Sequence, residues 1–138
     1  MYFRASANDA APMSESELYP AIIGTYSKGD TRLFRINSGL AWQGQVIEHT
    51  ARRLILLDPR PVKLGVPGMS DLIGWTTEGG PGYEWPRHAV FCAVEVKGPR
   101  TRTTREQAAF IDLVTRHGGR AGIARSVEEA GLIIQGGI

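Results

Sequence analysis

Apolar and polar positions change their period several times along this chain, and each change marks an expected element. Near the start, Ser14 followed by Glu17 fits a capping box, so a first helix begins there; Pro20 inside it predicts a kink or a displaced start. Leu33, Phe34, Arg35, Ile36 and Asn37 read as a strand, and Ser38 with Gly39 closes it. Two apolar runs at 53–57 and 61–64 flank Asp58, Pro59 and Arg60, which predicts a hairpin. Residues 65–70 hold two glycines and a proline in a tight loop that delivers the chain into a short strand at 71–75. Residues 78–87, rich in Gly and Pro, read as a connecting loop, and 89–97 is the clearest strand. Thr103 with Glu106 caps a helix whose apolar stripe is Phe110, Ile111, Leu113 and Val114, and which stops at Gly118 and Gly119. A short strand at 121–124 and a last helix across 128–131, capped by Ser126 with Glu129, complete the series. The order of helix, strands, helix, strand and helix predicts an α/β sandwich on one central mixed β-sheet flanked by helices.

Residues 1–13 show no periodicity and read as a disordered tail ahead of a single domain, 14–138. A hydrophobic content of 42% with 22% charged residues fits a globular chain, and no apolar run has the length of a membrane span, so the expected address is cytoplasmic with no membrane partner. One cysteine excludes an internal disulfide, and three histidines without cysteine pairing give no zinc pattern. Net charge is only +2, but Lys97, Arg100, Arg102, Arg105, Arg116, Arg120 and Arg125 lie in one stretch against only Glu106 and Asp112. That stretch is either a solvated surface or a place where a phosphate backbone is held.

Alternation along the strand at 89–97 puts Phe91, Ala93, Glu95 and Lys97 on one face and Cys92, Val94 and Val96 on the other. Glu95 and Lys97 are then neighbours at the end of an apolar strand. An exposed ion pair explains them, and so does a charged ligand. Asp71 follows the Gly-rich loop and precedes an apolar run, so a strand beside the first would bring its carboxylate to Glu95. Two convergent carboxylates suit a hard divalent cation, Mg2+ with Mn2+ as substitute, with the main-chain carbonyl of Val96 as a further oxygen ligand. Lys97 would orient a water or stabilise transition-state charge. Cys92, facing away, reads as a core thiol. Trp42, Trp75 and Trp85 read first as packing residues and second as base-stacking ones.

Residues 65–74, 93–98 and 103–107, read as GVPGMSDLIG, AVEVKG and TTREQ, resemble the VRR-NUC family of PD-(D/E)xK nucleases. The likeness begins near Ser14, includes residues 34–39 and runs to Ala130. It implies a restriction-endonuclease-like core and metal-dependent phosphodiester hydrolysis. Asp71 and Glu95 match the metal ligands, Lys97 the catalytic lysine, and Glu15 an auxiliary acid from the first helix, with Glu17 as competitor. Gln107 matches the glutamine that opens the helix after the ExK strand. Tyr19 stands where the family often has glutamine, and Pro20 where it often has a polar or basic residue. DNA contacts are expected from Arg35, Asn37, Ser70, Arg100, Arg102 and Arg105. Small members of the family, including phage and prophage proteins, imply a homodimer acting on branched DNA such as four-way (Holliday) junctions. Three rivals remain: a nuclease of ordinary duplex or flap DNA, an inert nucleic-acid-binding module of the same fold, and a structural protein whose ionic strand end is only solvated.

Overall fold

The computed structural model describes residues 11–137, so most of the expected tail and Ile138 lie outside the described residues. The chain begins with α1 (Glu15–Tyr26) and β1 (Arg32–Arg35), followed by two long strands, β2 (Gly39–His49) and β3 (Leu54–Leu64). The remaining elements are β4 (Leu72–Glu78), β5 (His88–Val96), α2 (Arg105–Arg116), β6 (Arg120–Ala124) and α3 (Val127–Gln135). Strands β1, β4, β5 and β6 form one sheet in that order, antiparallel except for the parallel β5–β6 pair. This is the mixed sheet flanked by helices that the periodicity predicts.

The two faces of that sheet differ. Leu33, Leu72, Cys92, Val94 and Val96 point to the side where Leu18, Tyr19 and Ile22 of α1 and Ala130, Ile133 and Ile134 of α3 seal the core. Cys92 is fully buried there. Close approach of β1 to β4 depends on Gly74, because a Cβ at that position would run into the carbonyl of Arg32. The opposite face carries Glu95, which contacts α2; that helix packs mainly on β5 and β6.

Several sequence expectations are corrected. The runs at 53–57 and 61–64 are not two arms of a hairpin but one continuous strand, β3, whose partner is β2. Asp58 does adopt a left-handed backbone, φ 48°, but it does so in a bulge. The register passes from Gln43–Arg60 to Gln45–Leu57, so two residues of β3 face one of β2 and the chain continues instead of reversing. The two strands make a separate sheet that stands off the main one, an arm about 36 Å long at the usual rise per residue. Leu40, Trp42, Val46, Ile47, Leu54 and Leu57 are exposed along it.

Pro20 neither kinks nor delays α1, which runs unbroken from the predicted cap; the proline is exposed, and the buried neighbours Leu18, Tyr19 and Ile22 hold the helix in place. The cap of α2 lies one residue later than expected, at Thr104 with Gln107. Helix α3 extends beyond 128–131 because Leu132, Ile133 and Ile134 continue its apolar pattern to the left-handed Gly136. The three tryptophans are not core residues: Trp42, Trp75 and Trp85 are 56%, 39% and 49% exposed. No helix among the described residues is long and apolar enough to cross a membrane.

Candidate active site

The candidate residues meet where β4 begins and β5 ends. Leu72 lies opposite Val94 in the antiparallel register, so Asp71, one residue earlier, lies beside Glu95. The backbone N–H of Val96 donates to Asp71 Oδ2 at 3.1 Å, and the Asp71 carbonyl accepts from Ile36 N–H at 2.7 Å. Both contacts lock the aspartate at the seam between strands. Glu95 and Lys97 are 2% and 7% exposed, with Lys97 Nζ 3.1 Å from Glu95 Oε1. The expected alternative of an exposed strand-end ion pair is therefore corrected: the pair is buried, which costs several kcal/mol per ion unless partners compensate.

Compensation is incomplete. Gln107 Nε2 donates to the same Oε1 at 2.5 Å, while its Oε1 accepts from Thr104 N–H at 2.9 Å. The capping box that starts α2 thus also aims the amide at Glu95. Glu95 Oε2 is buried without a hydrogen-bond partner, and so is Ser70 Oγ, one residue before Asp71. Burial first, and then the Asp71 carboxylate, push the Glu95 carboxyl up to about 7, against the opposing pull of Lys97. A buried orphan oxygen on a carboxylate that a second carboxylate repels is a donor set short of a cation.

Helix α1 adds a third acid. Glu15 Oε1 accepts from Gly98 N–H at 3.0 Å, and that bond holds its carboxyl below the ordinary range despite partial burial, with Thr101, Lys97 and Arg125 adding to the effect. Glu17 is engaged elsewhere, accepting from Ser14 N–H at 2.8 Å and Ser14 Oγ at 2.7 Å. Even so, among the described residues no three His, Cys, Asp or Glu side chains cluster as a ready-made metal cage. Two carboxylates with a carbonyl and waters suffice for magnesium, which keeps much of its hydration.

Two contributors escaped the sequence reading. Tyr19, one helical turn from Glu15, is buried with its hydroxyl beside Asp71; burial and then the Asp71 charge push its pKa up strongly, and Arg35 lies 4.1 Å over its ring. The i, i+4 spacing of Glu15 and Tyr19 was the available signal. Arg125 donates to the carbonyls of Gly98 and, at 2.8 Å, of Thr101, stapling the turn that follows Lys97. Basic residues of the stretch are thus divided in use. Arg116 pairs with Asp112 and Arg120 with Glu78, whereas Arg100, Arg102 and Arg105 are exposed and make no ion pair among the described residues. Asn37 is exposed and Ser70 is buried, so the six residues expected at DNA do not form one exposed surface.

The loop carrying Ser70 is seated by Gly68, whose φ is 77° and whose Cβ would strike the backbone of Glu106 in α2. The Gly-rich loop and the Gln107 helix therefore lock together, fixing Asp71 against Glu95.

A mixed sheet flanked by helices, with an aspartate before one central strand and Glu-x-Lys at the end of its neighbour, defines a nuclease domain of the PD-(D/E)xK type. The chain belongs to the VRR-NUC domain family, whose model matches residues 14–128. No curated protein and no solved structure matches the chain.

Proposed function

We propose that this nuclease is a divalent-metal-dependent endodeoxyribonuclease that cuts branched DNA as a homodimer. The observation that carries the metal reading is Glu95 Oε2, a buried carboxylate oxygen without a partner beside a second carboxylate. Asp71, Glu95 and the Val96 carbonyl would hold Mg2+ or Mn2+, with Glu15 reaching it through water. The bound ion supplies a polarised phosphate and a water of lowered pKa.

The chain's own residues do the rest. Lys97, held by Glu95, presents its ammonium to the attacking water or to a phosphoryl oxygen whose charge grows in the transition state. Gln107 fixes the Glu95 carboxylate so that one oxygen stays turned away from the amide. Glu15, its carboxyl held below the ordinary range by the Gly98 N–H, keeps its charge at the site and can accept a hydrogen bond from water there. Arg100, Arg102 and Arg105 supply phosphate contacts next to the catalytic end.

The arm supports a homodimer. An isolated two-stranded ribbon is marginally stable in water, and one with apolar side chains along its length gains from a second chain. A two-fold dimer would direct two sites at two strands, which suits a four-way junction. The test is cleavage of a labelled four-way junction and a matched linear duplex with Mg2+, Mn2+ or EDTA, using wild type and Asp71→Ala, with mass measured in solution. Metal-dependent junction cutting by a dimer, lost in the variant, is the expected result. Equal cutting of junction and duplex would overturn the branched-DNA reading, and binding without cutting under either metal would point to an inert module.

A further inference from the structure

Alternation places more than Asp71 and Glu95 on the face of the sheet that carries them. Register puts Trp75 opposite Phe91 on one side and Arg32 on the other, and Phe34 opposite Ile73. Phe34, Trp75 and Phe91 therefore share the face of Asp71 and Glu95, Phe34 at the level of Ile73, about 7 Å from the carboxylates along the strands, and Trp75 and Phe91 at about 13 Å. Phe34 and Trp75 ring centroids are 5.6 Å apart with planes tilted by 45°. All three rings are open, Phe34 at 49% and Phe91 at 42% exposure, although the reverse face of the same strands is sealed. Helix α2 packs mainly on β5 and β6, with Val114 of its last turn near the Phe91 backbone, and still leaves the three rings accessible.

We infer that Phe34, Trp75 and Phe91 form a stacking platform for unpaired bases of the DNA beside the cleavage site. The inference rests on the nuclease reading and adds how the branch is recognised. Three observations favour bases over other occupants. The rings lie on the same face as Asp71 and Glu95, with Ile73 and the buried Ala93 between, so whatever covers them must leave a phosphate its path to the reaction centre. Charge is complementary: Arg32 shares the face, and the exposed arginines Arg100, Arg102 and Arg105 follow the catalytic end of β5. Composition also differs from the arm, where aliphatic side chains predominate; here the exposed groups are aromatic, the chemistry by which sheet faces hold splayed bases. Bases paired inside a duplex cannot reach such a surface, so the platform selects DNA with unpaired nucleotides near the cut.

The test reads binding, not cleavage. A fork carrying 2-aminopurine at unpaired positions, and a duplex with the same base paired, are titrated in EDTA with wild type, Trp75→Ala, Phe34→Ala/Trp75→Ala and Trp75→Phe. Wild type should change the 2-aminopurine fluorescence of the fork only. Trp75→Ala should weaken fork binding roughly 5- to 150-fold, the usual worth of one stacked base, and leave duplex binding unchanged. Trp75→Phe should restore most of it. All three positions are exposed, and matching thermal unfolding of the variants will show that folding is intact. Equal losses on fork and duplex, or no fluorescence response in wild type, would overturn the platform. A switch from dimer to monomer in Trp75→Ala, with fork and duplex binding falling together, would assign the rings to a second copy instead. A fluorescence response from a protein that cuts nothing would sink the nuclease reading and leave the platform standing.

Discussion

Lys97→Ala tests the buried charge at the centre of the site, and the structure makes its cost depend on pH. Glu95 is 2% exposed, and after the substitution its Oε1 keeps only the Gln107 amide while Oε2 still has no partner. Breaking a buried pair by removing one partner costs about 3–5 kcal/mol when the other stays charged. Glu95 can avoid part of that cost by taking up a proton, which burial and Asp71 already favour and which losing Lys97 favours further. A carboxyl whose folded pKa lies above its unfolded value adds stability below the unfolded value and loses it as pH rises through the folded one. Wild-type stability without metal should therefore decline from the ordinary carboxylate range toward neutrality.

Below about pH 6, Glu95 is mostly neutral with or without Lys97, and the variant should lose under about 1 kcal/mol. Above neutrality the wild type gains its ion pair, whereas Lys97→Ala must bury a lone carboxylate or hold a proton against the solvent. The deficit should then grow toward the ~3–5 kcal/mol of a broken buried pair. Urea unfolding in EDTA from about pH 5.5 to pH 8.5 measures this for wild type, Lys97→Ala, Glu95→Gln and the double variant, with m-values compared. Glu95→Gln should flatten the wild-type decline, and the double variant should lose the pH dependence of Lys97→Ala. A small Lys97→Ala deficit, the same at both ends of the range, would refute the reasoning. Under conditions where the variant is folded, cleavage should vanish while DNA binding persists.

Other substitutions separate roles that share a motif. Glu17→Ala should cost about 1 kcal/mol of stability through the lost capping box and leave cleavage intact, whereas Glu15→Ala should cut the cleavage rate far more than stability; parallel denaturation and single-turnover assays compare them, and the reverse pattern would exchange their roles. Gly68→Ala should destabilise by at least ~1–3 kcal/mol, because the left-handed backbone and the α2 contact both resist a Cβ, and melting curves that match wild type would contradict that packing. Arg100→Ala and Arg102→Ala should weaken binding on most DNA sequences and each lower the salt slope by about 1, and an unchanged slope in titrations over a range of KCl would remove them from the interface.

How much of this was legible in the sequence follows from the range of each determinant. Glu95 and Lys97 share a face because side chains alternate within one strand, which is local and visible in residues 89–97. Placing Asp71 beside them needs the β4–β5 register. No single residue states it, but the matched family blocks carry it as a spacing. Burial of the pair was not legible, because it depends on α2 and on the Gly68 loop seated against that helix. The arm was the largest miss, for a physical reason. Binary patterning arises where one face of a strand packs on a core, and neither face of β2 does, so its eleven residues alternate poorly. Asp58, Pro59 and Arg60 then supplied turn chemistry without a turn, since a left-handed residue serves a bulge as well as a reversal. The same reasoning explains the tryptophans. Packing in the core or at an interface was the expectation for each Trp; Trp42 lies on the arm and Trp75 on the strip beside the reaction centre, the strand faces left uncovered, so the core half of that expectation fails for a tertiary reason. Where the sequence rule failed, the failure marks surfaces that the folded monomer leaves for something else to cover.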